Sequence, residues 1–213
     1  YKGVTDFVTK WFWPIPAFWV TKFCARLGLS PNFVTTIGLA LVVVAYILFE
    51  QGQYGAGLAA GYVMTFLDTV DGKLARLTLT SSRFGNLYDH GIDLIHPPFW
   101  YVAWGFGLVA YGTPLDGEML RLVLWAIVAG YIFARVIEGI FVRVFGMHIH
   151  VWQQVDSVFR LFTARRNPNM VLLTVSAIAG RPDLGLIGVA AWTLACIVFH
   201  LVRLYMAAGL RRR

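Results

Sequence analysis

Long apolar stretches separated by short polar punctuation dominate the chain. Runs of bilayer-crossing character fall at 33–49, 55–77, 85–111, 120–144, 170–180 and 184–206. The fifth is short, and its boundaries stay open. Turn signals set the limits: Gly52-Gln53 after the first run, Gly112-Thr113-Pro114 after the third, Pro168 before the fifth and Arg181-Pro182 before the sixth. Ahead of the first run, Val4, Phe7, Val8, Trp11 and Phe12 recur at helical spacing with Lys2, Asp6 and Lys10 between them. That pattern predicts a helix lying in the membrane interface, broken at Pro14 and Pro16. The expected fold is all-α: a polytopic membrane protein of six transmembrane helices plus an N-terminal interfacial amphipathic helix. Residues 1–32 are expected to form the juxtamembrane helix and linker, and 33–213 the six-helix domain.

Composition agrees independently. With 58% hydrophobic and 14% charged residues and a mean hydropathy of +0.66, the 213-residue chain lies far from soluble domains. Its net charge of +7 would also suit a nucleic-acid binder. The basic residues border the apolar runs, however, so anionic lipid headgroups and substrate phosphates are the favoured counter-ions, and no nucleic-acid partner is expected. An even number of spans puts both termini on one side, with the 78–84 and 145–168 connections. That side collects Lys2, Lys10, Lys22, Arg26, Arg83, Arg160, Arg165, Arg166, Arg211, Arg212 and Arg213, against Arg121 and Arg181 opposite. By the positive-inside rule the termini are cytoplasmic. Trp11, Trp13, Trp19, Trp100, Trp104 and Trp152 suit interfacial belts, and Cys24 and Cys196 are not expected to pair.

Acidic residues inside these runs change the picture. Asp68-x2-Asp71-Gly72-x2-Ala75-Arg76-x8-Gly85-x3-Asp89-x3-Asp93 sets four aspartates at fixed offsets in apolar sequence. At about 3.6 residues per turn, Asp68 and Asp71 share one helix face and Asp89 and Asp93 share a face of the next. Two such helices facing each other bring four carboxylates together. Ionised aspartates cost roughly 2.5 kcal/mol or more at the bilayer centre, and such residues usually line a functional cavity. Hard oxygen donors without nearby Cys favour Mg2+ or Mn2+, and a pair of such ions suits displacement at phosphorus.

This run resembles, position for position, the signature of the CDP-alcohol phosphotransferase (CDP-alcohol phosphatidyltransferase) family of integral membrane enzymes. The resemblance implies a six-helix domain that transfers a substituted phosphate group from a CDP-linked donor to an alcohol, releasing CMP, in phospholipid biosynthesis. It implies metal ligands at Asp68, Asp71, Asp89 and Asp93, two Mg2+ or Mn2+ ions, and Asp93 as ligand, general base or both. Gly72 and Ala75 would let the nucleotide lie against the helix, Arg76 would face phosphate, with a snorkelling anchor at the cytoplasmic end as the alternative, and Gly85 would allow the third span to approach the second; a packing glycine would look the same. Ser30-Pro31-Asn32-x2-Thr35 resembles a second family element, usually Thr-Pro-Asn; Ser30 or Asn32 reads as the helix N-cap, and Asn32 is the one expected to combine capping with nucleotide contact. Implied localisation is the bacterial inner membrane with the site facing the cytoplasm. A homodimer and an upstream cytidylyltransferase domain are further possible partners.

Beyond the signature, Arg135 and Glu138 lie three apart on one face of the fourth span. They form either a self-satisfied ion pair or a site in which Arg135 meets a substrate phosphate and Glu138 aids proton transfer. Arg160, Arg165 and Arg166 are candidate phosphate or headgroup contacts, with positive-inside anchoring as the alternative. Asp89-His90-Gly91-x-Asp93 resembles the segment of choline and ethanolamine phosphotransferases, making His90 a candidate to assist Asp93 or to position the acceptor hydroxyl, with a His that only bonds the backbone as the alternative. His148 and His150 are expected to be interfacial polar residues. Chain length favours CDP-diacylglycerol as donor with a small polar alcohol or alcohol phosphate as acceptor. The His90 segment favours a CDP-polar alcohol donor, such as a CDP-amino alcohol, with a diacylglycerol-like acceptor. Readings outside enzymology are an ion-coupled transporter or a silent scaffold; against the transporter, spans four to six carry no repeated half-motif.

Overall fold

The computed structural model describes residues 3–211. Tyr1, Lys2, Arg212 and Arg213 lie outside the described residues, as do the contributions of Lys2, Arg212 and Arg213 to the charge argument. A π-helical turn, Val8–Phe12, precedes eight α-helices: α1 (Pro14–Arg26), α2 (Pro31–Glu50), α3 (Tyr54–Leu77), α4 (Arg83–Tyr111), α5 (Gly117–Phe145), α6 (Gln154–Arg160), α7 (Arg166–Ile178) and α8 (Pro182–Arg211). Pro14 and Pro16 open α1 instead of only ending a helix. The reason is local: the first turn has no intrahelical partner for its N–H groups, so a residue without one costs nothing there. Helix α1 buries Ala17, Thr21 and Cys24 while Ile15, Phe18, Trp19 and Phe23 stay exposed.

Among the described residues three helices, α2, α5 and α8, are long and apolar enough to cross a membrane. Helices α3 and α4 coincide with the second and third apolar runs but carry the signature charges, which lower their hydropathy. The exposed faces of the long helices are apolar, as at Val43 and Ile47 on α2 and Leu122 and Trp125 on α5, which suits a lipid surround. The protein is an integral membrane protein.

The chain divides into two compact units. In the unit spanning Val8–Pro114, α2 packs on both α3 and α4, and α1 packs on α3. Ala17 and Cys24 of α1 meet Val34 of α2 and Val70 and Leu74 of α3 in one buried cluster. Trp100 Nε1 donates to the Val42 carbonyl at 3.0 Å, and Tyr54 Oη to that of Trp104 at 2.7 Å. Gly107 lets α4 pass against the Phe49 carbonyl, where any Cβ would collide with backbone. The second unit holds Leu115 onward together with residues 3–7. In it α5 and α7 pack on α8. The connection from α5 to α7 is ordered by a 3-10 turn, Ile149–Val151, and by α6.

Candidate functional site

Helix caps set the register of the first unit's polar cluster. Ser30 Oγ accepts from Phe33 N at 3.2 Å with Pro31 at the first position, which starts α2 so that Thr35 falls in its second turn. Ser82 Oγ accepts from Gly85 N at 2.9 Å, which starts α4 and places Asp89 and Asp93 on its next turns. Carboxylate oxygens of Asp68, Asp71 and Asp89 then lie within 4.8 Å of one another, from α3 and α4. Asp71 is 4% exposed; Asp68, Asp89 and Asp93 are half-buried. Thr35 Oγ1 donates to Asp71 Oδ2 at 2.6 Å and fixes that carboxylate from α2.

Three converging carboxylates are costly without a cation, and their hard oxygens suit Mg2+ or Mn2+. Arg76 folds back toward Gly72, where a Cβ would sit 3.5 Å from Nη1, so its guanidinium reaches the level of the aspartates. Ala75 is half-buried on the same helix. His90 is largely exposed, with Nδ1 3.6 Å from Asp89 Oδ2, too long for a hydrogen bond.

Two expectations change here. Asn32 does not cap α2; Ser30 does. Gly85 makes room not for the second span but for Asn32 of α2, whose Oδ1 would lie 2.8 Å from a Cβ at that position. A side chain on α4 would displace the Asn32 amide, so the two family elements are physically one feature.

A second polar cluster occupies the other unit, around Glu138 of α5. Arg135 Nη2 donates to Glu138 Oε1 at 2.7 Å, His150 Nε2 lies 3.2 Å from the same oxygen, and Arg165 Nη2 donates to Oε2. His200 of α8 completes a group with Glu138 and His150 whose ligand atoms all lie within 4.8 Å. The cluster is rich in cations: Arg135, Arg160 and Arg165 interact with one another and share Glu138. Arg135 Nε, Arg165 Nε, Arg160 Nη1 and both His200 nitrogens are buried without a hydrogen-bond partner. Spare buried donors and surplus positive charge are chemistry that suits an anion better than a cation. His150, expected at the interface, is 8% exposed, and burial pulls its pKa down against the bond to Glu138. Its i, i+2 relation to His148 in a connection carries no burial signal. Arg166 is half-buried at the start of α7.

Thr35 entered the sequence reading only as part of the Ser30 element and His150 only as an interfacial residue; His200, Asp156 and Arg203 had no role in it. The signal for the last group was present: His200 and Arg203 are polar positions three apart inside an apolar run.

A family model described as CDP-alcohol phosphatidyltransferase matches residues 28–164, more than half of the chain. Over 75 residues, 35% of this chain and 39% of the relative, it is 41% identical to archaetidylinositol phosphate synthase of Pyrococcus horikoshii. Over 125 residues, 50% of this chain and 31% of the relative, it is 30% identical to human ethanolaminephosphotransferase 1. The matches therefore span well under half the length of these curated relatives. Among solved structures, Mycobacterium tuberculosis phosphatidylinositol phosphate synthase with CDP-DAG bound superposes with a TM-score of 0.63 at 20% identity, covering 89% of this chain and 93% of that one. The same enzyme in complex with manganese and citrate gives 0.65 at 19% identity, covering 89% and 88%. These likenesses share the helical fold. The aspartates that α3 and α4 bring together lie within the matched residues, and the chain belongs to the CDP-alcohol phosphatidyltransferase family.

Proposed function

We propose that this protein transfers a substituted phosphate group from a CDP-linked donor to an alcohol acceptor and releases CMP. The observation that carries the reading is the convergence of Asp68, Asp71 and Asp89 within 4.8 Å, braced by Thr35. Asp68, Asp71, Asp89 and Asp93 would hold two divalent cations, Mg2+ or Mn2+. Bound there, such ions neutralise charge that grows on the donor's two phosphates. Asp93 accepts the proton of the acceptor hydroxyl as that oxygen attacks the β-phosphorus and the bond to CMP breaks. Asn32, Gly72, Ala75, Arg76 and Gly85 line the nucleotide, with Arg76 facing phosphate. His90, exposed beside Asp89, is a candidate to orient a hydroxyl.

Arg135, Arg160 and Arg165, with Arg166 nearby in sequence, bind an anionic group of the substrate. Glu138, both of whose oxygens are engaged, serves better as their anchor than as a proton acceptor. The donor reading favoured is CDP-diacylglycerol with a small alcohol phosphate. Its support is the cation-rich cluster, along with the CDP-DAG-bound M. tuberculosis neighbour. The alternative, a CDP-amino alcohol with a diacylglycerol-like acceptor, draws on Asp89-His90-Gly91 and the human ethanolaminephosphotransferase relative. The family plan and the charge asymmetry favour six spans, an interfacial N-terminal helix and a site facing the cytoplasm of a bacterial inner membrane. Homodimerisation and an upstream cytidylyltransferase domain belong to the same reading.

The test is CMP release by protein purified into nanodiscs with Mn2+. One arm offers CDP-diacylglycerol with phosphorylated and unphosphorylated polyols, the other CDP-choline or CDP-ethanolamine with diacylglycerol. Release with a phosphorylated polyol supports the favoured donor; release only in the second arm assigns the alternative. Silence in both arms together with metal-coupled ion flux in liposomes would replace the enzyme with a transporter.

A further inference from the structure

The cation-rich cluster depends on a connection with little secondary structure of its own. His150 and Arg165 lie on the 149–165 segment, which holds only one 3-10 turn and the seven-residue α6. A segment so short in helix needs outside anchors to aim two long side chains at one carboxylate. The anchor is on α8. Arg203, 6% exposed, donates from Nε to Asp156 Oδ1 at 2.6 Å and from Nη2 to Asp156 Oδ2 at 2.8 Å. The same Nη2 reaches Gln153 Oε1 at 2.5 Å, and the guanidinium lies over the Trp152 ring at 4.3 Å. Asp156, 1% exposed, also accepts from Gln153 N at 3.0 Å, closing the first turn of α6. One turn earlier on α8, His200 meets the His150 ring at 5.4 Å, and Phe199 stacks on Phe159 of α6 at 3.7 Å.

Arg203 differs in kind from the arginines around Glu138. Those keep buried nitrogens without partners. In Arg203, Nε and Nη2 are bonded to Asp156 and Gln153, and Nη1 lies 3.5 Å from Met206 Sδ. A guanidinium so engaged has little left for a ligand, whereas a bidentate pair gives strong geometric control of the backbone that carries its carboxylate.

We propose that Arg203 is a positioning residue: by clamping Asp156 and Gln153 it holds the 149–165 connection so that Arg165 and His150 converge with Arg135 on Glu138 and present a preformed anion site. This rests on the reading that the cluster binds the substrate's anionic group.

The experiment compares Arg203→Lys, Asp156→Asn, their double variant and Gln153→Ala in full-length protein in nanodiscs. Read out are KM for the phosphorylated acceptor, KM for the CDP donor, Mn2+ affinity and hydrogen exchange across 149–165. By analogy with the loss of outer-shell supports, each buried variant is expected to raise acceptor KM by about 10-fold or more. Donor KM and Mn2+ affinity should stay near wild type, and the double variant should be no worse than the poorer single, because both break one clamp. Gln153 is exposed, so Gln153→Ala folds readily; a rise smaller than in the buried variants is expected, because Asp156 still holds the Arg203 guanidinium. Unchanged acceptor KM in variants that retain Mn2+ binding overturns the proposal. So do multiplying effects in the double variant, which would put Arg203 on the ligand itself. If the buried variants lose Mn2+ binding, Gln153→Ala decides by the same readout. Wild-type protein inactive with every substrate would sink the transferase reading, not this one. The clamp would then stand or fall on whether Gln153→Ala speeds exchange in 149–165 while leaving 68–93 unchanged.

Discussion

Thr35 and Asp71 lie 36 positions apart in the chain, yet the Thr35 hydroxyl donates a 2.6 Å hydrogen bond to the Asp71 carboxylate from a different helix. The bond fixes the orientation of the Asp71 carboxylate beside Asp68 and Asp89. It also explains what a threonine is doing one turn after the α2 cap.

Thr35→Val keeps the shape and removes the donor. Loss of an outer-shell hydrogen bond to a metal ligand typically costs about 10- to 100-fold in affinity or activity. The expected outcome is weaker Mn2+ binding and slower CMP release, with Thr35→Ser close to wild type. Equal Mn2+ affinity in Thr35→Val, measured by electron paramagnetic resonance, would reduce Thr35 to a packing residue.

The aspartates should separate by role. Asp71→Asn and Asp68→Asn remove a charged ligand from the 4.8 Å cluster and should lower metal affinity and turnover together. Asp93→Asn should abolish turnover, and if Asp93 acts chiefly as base the Mn2+ affinity will fall less than in Asp71→Asn. Full activity of Asp93→Asn would remove it as base.

Gly85 and Gly91, both on α4, give opposite expectations. Alanine in place of glycine inside a helix is worth roughly 1 kcal/mol by propensity. At Gly91 nothing lies within 4 Å of an added Cβ, so Gly91→Ala should raise thermal stability. At Gly85 the Cβ would meet Asn32 Oδ1 at 2.8 Å and Ser82 Oγ at 3.1 Å. The short Asn32 side chain cannot give way without leaving its place, so Gly85→Ala should raise KM for the CDP donor several-fold while Mn2+ affinity holds. A donor KM unchanged in Gly85→Ala would detach Asn32 from nucleotide binding.

What the sequence made legible follows from how local each constraint is. The aspartates were readable because two ligands on one helix must sit three or four residues apart, and the resemblance rests on that spacing. Each expected apolar run overlaps one helix, since a continuous apolar run leaves few other folds. The helical turn Val8–Phe12 ends before Pro14 as expected, but Pro14 and Pro16 also open α1, because a proline both ends a helix and opens one and only the neighbouring chain decides which. The Asp156–Arg203 clamp was invisible because its partners are 47 positions apart and nothing in their spacing couples them. His150 was misplaced for a related reason: burial in a connection is set by tertiary packing, here the contact with His200.

Arg135 offers the sharpest test of the cation-rich cluster. Its Nη2 bonds Glu138 at 2.7 Å, but its Nε is buried without a partner. A self-contained ion pair would leave no such donor, whereas a ligand site requires one. A hydrogen bond to a charged group contributes about 1.5–3 kcal/mol, so Arg135→Ala should raise KM for an anionic acceptor by about 10- to 150-fold. Arg165 still neutralises Glu138 and His150 still hydrogen-bonds it in that variant, so the fold should survive with a modest loss of thermal stability. The concentration dependence on Mn2+ should not move, because Asp68, Asp71, Asp89 and Asp93 are untouched. If instead the melting temperature falls and acceptor KM stays at its wild-type value, Arg135 and Glu138 are a structural pair and the anion is held elsewhere.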